Sequence, residues 1–305
     1  MIRGMSMERI NLKKCALCDR ETDIQLSHII PKFVGRHLKK TSIGNIRNLE
    51  DHNNIIQDIE KHYMLCHDCE ELFSASERWF ANNVFYPWQK DKKDEIQYNK
   101  HLHYFITSLS WRSLYLDILF HVKNNDIDIL SLNKMIESEK IMKEYLLNNR
   151  EDIGLIENHI FFFDRVEEVV NKNDKTFYLS PHVTVHRSIT SYSVTSGDTI
   201  FTVSNLMGII VVTLYYKGIG EKWSGTKIKC GAGLLSAKNQ IMKSVVGGEI
   251  SYWLQEAEKK SKSLNSEQKK KIIDKINAVK KSIKDYQIYD DINYDIRLRK
   301  NNLLD

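Results

Sequence analysis

Three prolines in 305 residues, Pro31, Pro87 and Pro181, leave little room for extended proline-rich linkers. The N-terminal stretch Met1–Arg9 lacks the apolar core of a secretory signal, so a cytoplasmic protein is expected. The longest apolar run, Ile200 to Tyr216, is broken by Thr202, Ser204, Asn205, Gly208 and Thr213. Its β-branched content and length point to buried strands and not to a membrane span. Full glycine fingerprints are also missing: Gly218 and Gly220, and Gly231 and Gly233, have neither the spacing nor the Lys-Ser/Thr ending of a phosphate loop and read as turn glycines. Cysteine is scarce too. Of five, Cys230 stands alone and reads as a small buried apolar residue, while four fall into two pairs.

Those pairs carry the most information. Cys15 and Cys18 form one C-x-x-C hook, and Cys66 and Cys69 form another. A two-residue gap lets both sulfurs of a hook reach one ion, so four thiolates make a tetrahedral structural zinc site. Between the hooks, ten residues after Cys18, comes His28 in the segment Ser27-His28-Ile29-Ile30-Pro31. An imidazole takes up and releases protons near neutral pH, which metal-assisted phosphodiester cleavage needs in a base.

Around the hooks the pattern divides the chain into residues 1–90, a helical region over 91–150, and an α+β region over 151–305 of unassigned role. Gln25–Ile30 and Tyr63–Cys66 read as strands, and 39–58 as an Asn-rich loop with room for a short helix. Helical spacing runs over Asp68–Phe85, capped by Asp68 and stopped by Tyr86-Pro87. Further helices are expected over 95–122 and 133–147. Strands follow at 159–163, 176–179, 183–185, 199–203 and 209–216, then helices at 250–264 and 267–286. Ten lysines between Lys259 and Lys284 read as a solvated helix face. His101, His103, His121, His159, His182 and His186 show no recognised ligand spacing and are given no role.

The order of hook, histidine segment and hook resembles the zinc-bound HNH endonucleases of the His-Me finger superfamily. The matching stretches are Cys15–Cys18, Leu26–Pro31, Asn45–Leu49 and Leu65–Glu70, all within about the first 85 residues. The resemblance implies a zinc-stabilised ββα-metal, treble-clef-like module. It also implies His28 as the general base, a bracing asparagine (Asn45, with Asn48 and Asn54 as alternatives), and Glu70 where the family has Asn or His. Ser27 departs from the family, which has an acidic or histidine ligand there. Glu70 and Glu77, on one helix face with Ser74, are therefore the expected ligands of a catalytic Mg2+ or Mn2+. Lys32, Arg36, Lys39 and Lys40 are expected to touch the phosphate backbone of nucleic acid.

The reading this resemblance implies is a metal-dependent DNA endonuclease, with RNA left open as substrate, of the kind that serves in defence against phage or mobile DNA. A second copy of the chain or a defence-system protein is its expected partner, and no membrane is. The alternatives are a zinc-finger module that binds nucleic acid or protein without cleaving, and an interaction protein acting through residues 151–305.

Overall fold

The structure is a computed structural model and describes residues 13–43, 46–47, 53, 55, 58–166, 180–278 and 282–301. Strands β1 (Lys13–Lys14) and β2 (Glu21–Thr22) pair around the first hook. β3 (Ile24–His28) leads through Ile29 and Ile30 to helix α1 (Lys32–Thr41), which starts directly behind Pro31. The expected loop thus loses its first residues to a helix. Proline's fixed φ suits a helix start, and Val34, Gly35 and Leu38 give α1 a buried stripe. A side chain on Gly35 would run into Ile59, so glycine lets the helix close on that residue.

β4 (Lys61–Cys66) pairs antiparallel with β3, setting Ile24 opposite Cys66 and His28 opposite Lys61. Helix α2 (His67–Phe80) follows at once, capped by Cys66 and not by Asp68. It runs through a π-helical turn, Ala81–Phe85, into α3 (Tyr86–Asp91). Pro87 therefore does not end the helix as expected. It lies in the first turn of α3, where a missing N–H is tolerated because the wider π turn has reset the bonding.

β5 (Glu95–Tyr98) replaces the expected first turn of the next helix. α4 (Lys100–Asn124) is capped by Asn99, and α5 (Ile129–Leu146) by Asp128. β6 (Glu157–Phe162) opens the C-terminal sheet. The strand expected at 176–179 lies outside the described residues. The one expected at 183–185 is a helix, α6 (Pro181–His186): Pro181 starts the turn, and the Asp295 carboxylate accepts the N–H groups of His182 and Val183 from a distant segment. No local periodicity announces such a cap.

β7 (Ile189–Ser196), β8 (Thr199–Leu206) and β9 (Ile209–Tyr216) form a meander. β10 (Lys222–Ser224), β11 (Lys227–Ile228), β12 (Gly233–Ser236) and β13 (Ile241–Lys243) are short. Helices α7 (Val246–Lys262), α8 (Ser266–Asn277) and α9 (Gln287–Asn301) follow, so the helix expected over 267–286 stops at Asn277 and a separate helix begins at Gln287. The main sheet has the order β11-β6-β9-β8-β7, antiparallel throughout. β10 pairs with β13, and β12 with β5.

Side chains alternate across this sheet, as the two-residue period of a strand requires. Phe201, Val203, Ile210, Val212 and Leu214 meet Val246, Ile250 and Leu254 of α7. Leu206, Ile209 and Val211 instead join Phe105, Ile106 and Leu109 of α4. The result is a sheet with helices on both faces, and α4 is buried almost all round between Leu102 and Leu114. A polar seam runs where α4 crosses the sheet. Ser110 meets Thr213 at 2.7 Å, Thr213 donates to Asn158 at 2.7 Å, and Asn158 donates to Thr107 at 2.9 Å.

The molecule is thus a mixed α+β protein with a four-cysteine cluster near its N-terminus and an antiparallel sheet with following helices toward its C-terminus. Cys15, Cys66, Cys69 and Phe73 share one core with Trp111 and Met135 of the middle region and with Ile200 and Tyr215 of the sheet. Residues from 1–90, 91–150 and 151–305 therefore meet in common cores. Among the described residues, no helix is long and apolar enough to cross a membrane.

Candidate metal centre and the histidine on its hairpin

The first hook is a tight knuckle. The Cys15 N–H donates to Arg20 O at 2.9 Å and the Asp19 N–H to Cys15 O at 3.0 Å, with Asp19 at φ 61°. The second hook straddles the β4–α2 junction, where a helix start turns Cys66 and Cys69 to one side. The four sulfurs all lie within 4.8 Å of one another. Cys18 Sγ and Cys66 Sγ are 3.7 Å apart. Four sulfurs on a tetrahedron with 2.3 Å metal bonds would be separated by about 3.8 Å, so the cluster has the size a zinc ion requires.

Donors around the sulfurs match thiolate chemistry. The Cys66 N–H points at Cys15 Sγ (3.3 Å), and Arg20 Nε at Cys18 Sγ (3.3 Å), while Arg20 Nη2 also pairs with Asp68 at 2.8 Å. A hydrogen bond from Cys69 and several backbone bonds pull the Cys15 thiol down to about 4, against burial. Cys69 is pushed up, first by its bond with Cys15 and then by burial. Four thiols this close share their protons unequally until a cation replaces them. The cluster is therefore a set that can hold a structural metal ion such as zinc.

His28 ends β3, four residues from the position opposite Cys66. At the rise of a strand this is about 13 Å, so His28 stands well away from the cysteine cluster. The cluster can fix the hairpin without contacting His28. His28 Nε2 lies 3.2 Å from Asp58 Oδ2. The carboxylate is itself oriented: Oδ1 accepts the Ile59 N–H at 2.9 Å, and Oδ2 also meets Lys61 Nζ at 3.3 Å. Burial opposes its ionisation, but His28, the Ile59 N–H and Lys61 outweigh that and hold the Asp58 carboxyl at about 2. In the tautomer that donates from Nε2 to Asp58, Nδ1 carries the lone pair.

Arg112 of α4 locks the other side. Its Nη1 donates to His28 O at 2.8 Å, its Nη2 to Glu77 Oε1 at 2.7 Å and its Nε to Ser108 O at 3.2 Å, and the guanidinium lies over the Phe73 ring. Glu77 is thus brought to the level of His28, but in an ion pair. Glu70 belongs to the cysteine end of α2, since seven helical residues rise about 10 Å, and its Oε1 is buried without a hydrogen-bond partner. Ser27 is buried, and its hydroxyl donates to Gln25 O at 3.4 Å, on the opposite side of the strand from His28. Lys32, Arg36, Lys39 and Lys40 are all exposed along α1. Asn45, Asn48 and Asn54 lie outside the described residues.

Sequence reasoning passed over Asp58 and Arg112. A lone arginine amid the apolar turns of α4 was a readable sign, because a buried guanidinium must find partners. Asp58, in a polar stretch, carried no such mark. Cys230, expected to be buried, is exposed, with Sγ 3.9 Å from the Tyr145 hydroxyl. Comparison with protein families, curated proteins and solved structures finds no match to this chain.

Proposed function

We propose that this protein is a zinc-stabilised, divalent-metal-dependent endonuclease of HNH type, with His28 as general base and DNA as substrate. The observation that carries the reading is the His28–Asp58 pair at the end of a hairpin whose other end is drawn together by four cysteines. In this reading the treble-clef-like elements are the Cys15–Cys18 knuckle, the β3–β4 hairpin and the start of α2.

The chemistry asks for few groups. Asp58 fixes the imidazole, and Nδ1 of His28 takes a proton from water as the water oxygen bonds to phosphorus. The bond from phosphorus to the leaving 3′ oxygen breaks, and that oxygen receives a proton from solvent. A general base of this kind contributes about 10²–10⁴-fold. The Asp58 carboxylate is the group that would help hold Mg2+ or Mn2+, hard ions that prefer oxygen ligands. When bound, such an ion supplies charge withdrawal from the phosphate. The exposed cations of α1, which follow Pro31 directly, would position the nucleic-acid backbone.

A second reading is favoured by one feature: the carboxylates at the level of His28 are each matched by a base, Glu77 by Arg112 and Asp58 by Lys61. A nucleic-acid-binding module without cleavage would have that balance. Supercoiled DNA incubated with the protein and Mg2+ or Mn2+ separates the two. Nicking that falls in Asp58→Asn supports the nuclease; retarded migration of uncut DNA, equal in both proteins, supports the binding module.

A further inference from the structure

We infer that Asp164, His182 and His186 form a further metal site, distinct from the cysteine cluster and from the ion proposed at Asp58, and suited to a divalent transition-metal ion. His182 and His186 are four residues apart on α6 and so project from one face, the ligand spacing that the sequence reading passed over. One nitrogen of each and an Asp164 oxygen all lie within 4.8 Å of one another.

The tautomer of His186 is set from outside. Its Nδ1 meets Asp291 Oδ1 at 3.0 Å, and Arg187 Nε holds the other oxygen of that carboxylate at 2.6 Å. A histidine that donates from Nδ1 to a carboxylate presents a bare lone pair at Nε2. That Nε2 is buried with no hydrogen-bond partner and faces Asp164 Oδ2 at 3.4 Å. Asp164 Oδ2 accepts from Lys92 and Trp88, so the lone pair of His186 Nε2 is the unmatched one, and a cation held by it and the carboxylate would satisfy it. A proton would serve two groups; a second imidazole within the same reach is the arrangement for an ion with three ligands.

The surroundings agree. Gly208 has φ 91°, and a side chain there would run into the His186 ring, so glycine keeps the ring's place open. Lys92 Nζ and Trp88 Nε1 donate to Asp164 Oδ2 at 2.8 Å and 3.1 Å, which orients the carboxylate while leaving it other lone pairs. His182 and Asp164 line a cavity of about 460 Å³, so water or a small ligand can complete the coordination. Two imidazoles and one carboxylate favour zinc, iron or cobalt over magnesium or calcium.

Cobalt(II) titration of the metal-stripped full chain carrying Asp58→Asn, which lacks the carboxylate proposed for the catalytic ion, tests this. The expected result is two equivalents: one with the intense sulfur-to-metal absorption of the four cysteines, the other with only weak visible bands. His182→Phe keeps a ring against Tyr294 but has no ligand atom, and Asp164→Asn keeps the shape without the charge. Each should bind one equivalent and retain the sulfur band, which also shows that it is folded. Uptake of one equivalent by the Asp58→Asn parent, or of two by both of its further variants, overturns the proposal.

Discussion

Arg112 is a charged side chain 2% exposed in the stretch Phe105–Leu114 of α4, where every other residue is apolar or carries a hydroxyl, and its bonds to His28 O and Glu77 explain why it is tolerated there. At the scale of single residues, what was legible in the sequence was the cluster with fixed spacing: four cysteines in two hooks that come together as one set. Asp58 was not legible, because its meeting with His28 depends on the β3–β4 register and on no local pattern. Buried histidines tell a similar story. Burial lowers His103 and His159 to about 4. Their folded values lie below the unfolded one near 6.5, so each contributes stability that is present above about pH 6.5 and lost as pH falls toward 4. For His103 this amounts to about 3 kcal/mol. Asp117 runs the other way: burial raises its carboxyl to about 6, so its contribution is full below about pH 4 and lost as pH rises through 6. Denaturant melts of wild type and His103→Gln between pH 4 and 7 should show a shallower acid loss in the variant. Equal slopes would remove His103 from the account.

At the scale of elements, the hairpin, α2, α4, α5 and the strands β6, β8 and β9 were readable because each has an apolar period. β7 was missed: its hydroxyl-rich sequence, Ile189 to Ser196, lacks an apolar alternation, and it is held instead by Ser191 bonded to Ser113 and Ser204. α6 was misread for the opposite reason, since Val183 and Val185 favour strand locally and a carboxylate from α9 decides otherwise. α1 was also unread, and it carries the most direct test of nucleic-acid contact. With Lys32 and Arg36 both changed to Gln, DNA affinity should fall about evenly across sequences. The slope of log affinity against log salt should shrink by about two. An unchanged slope would take α1 out of the interface.

For the molecule as a whole, the shared cores matter most. Cys15 and Cys69 pack with Trp111 and Tyr215, so the cluster stabilises a junction between regions that the sequence presented as separate spans. That union was not legible, because spacing reveals which residues can share an ion but not which distant helix packs behind them. Removing the ion by chelation, or replacing Cys69 with Ser, should lower the melting temperature by about 10 °C or more while keeping one cooperative transition. Two resolved transitions would show that the cysteine region melts alone.

The central claim is that the imidazole of His28 performs cleavage while the cysteine cluster only holds the hairpin. Single-turnover nicking of supercoiled DNA by wild type and His28→Ala, compared at equal measured zinc content, addresses both halves. The account predicts a loss of at least about a hundredfold in the variant with zinc undiminished. Equal nicking by the two proteins, or no metal-dependent nicking by the wild type, would contradict it.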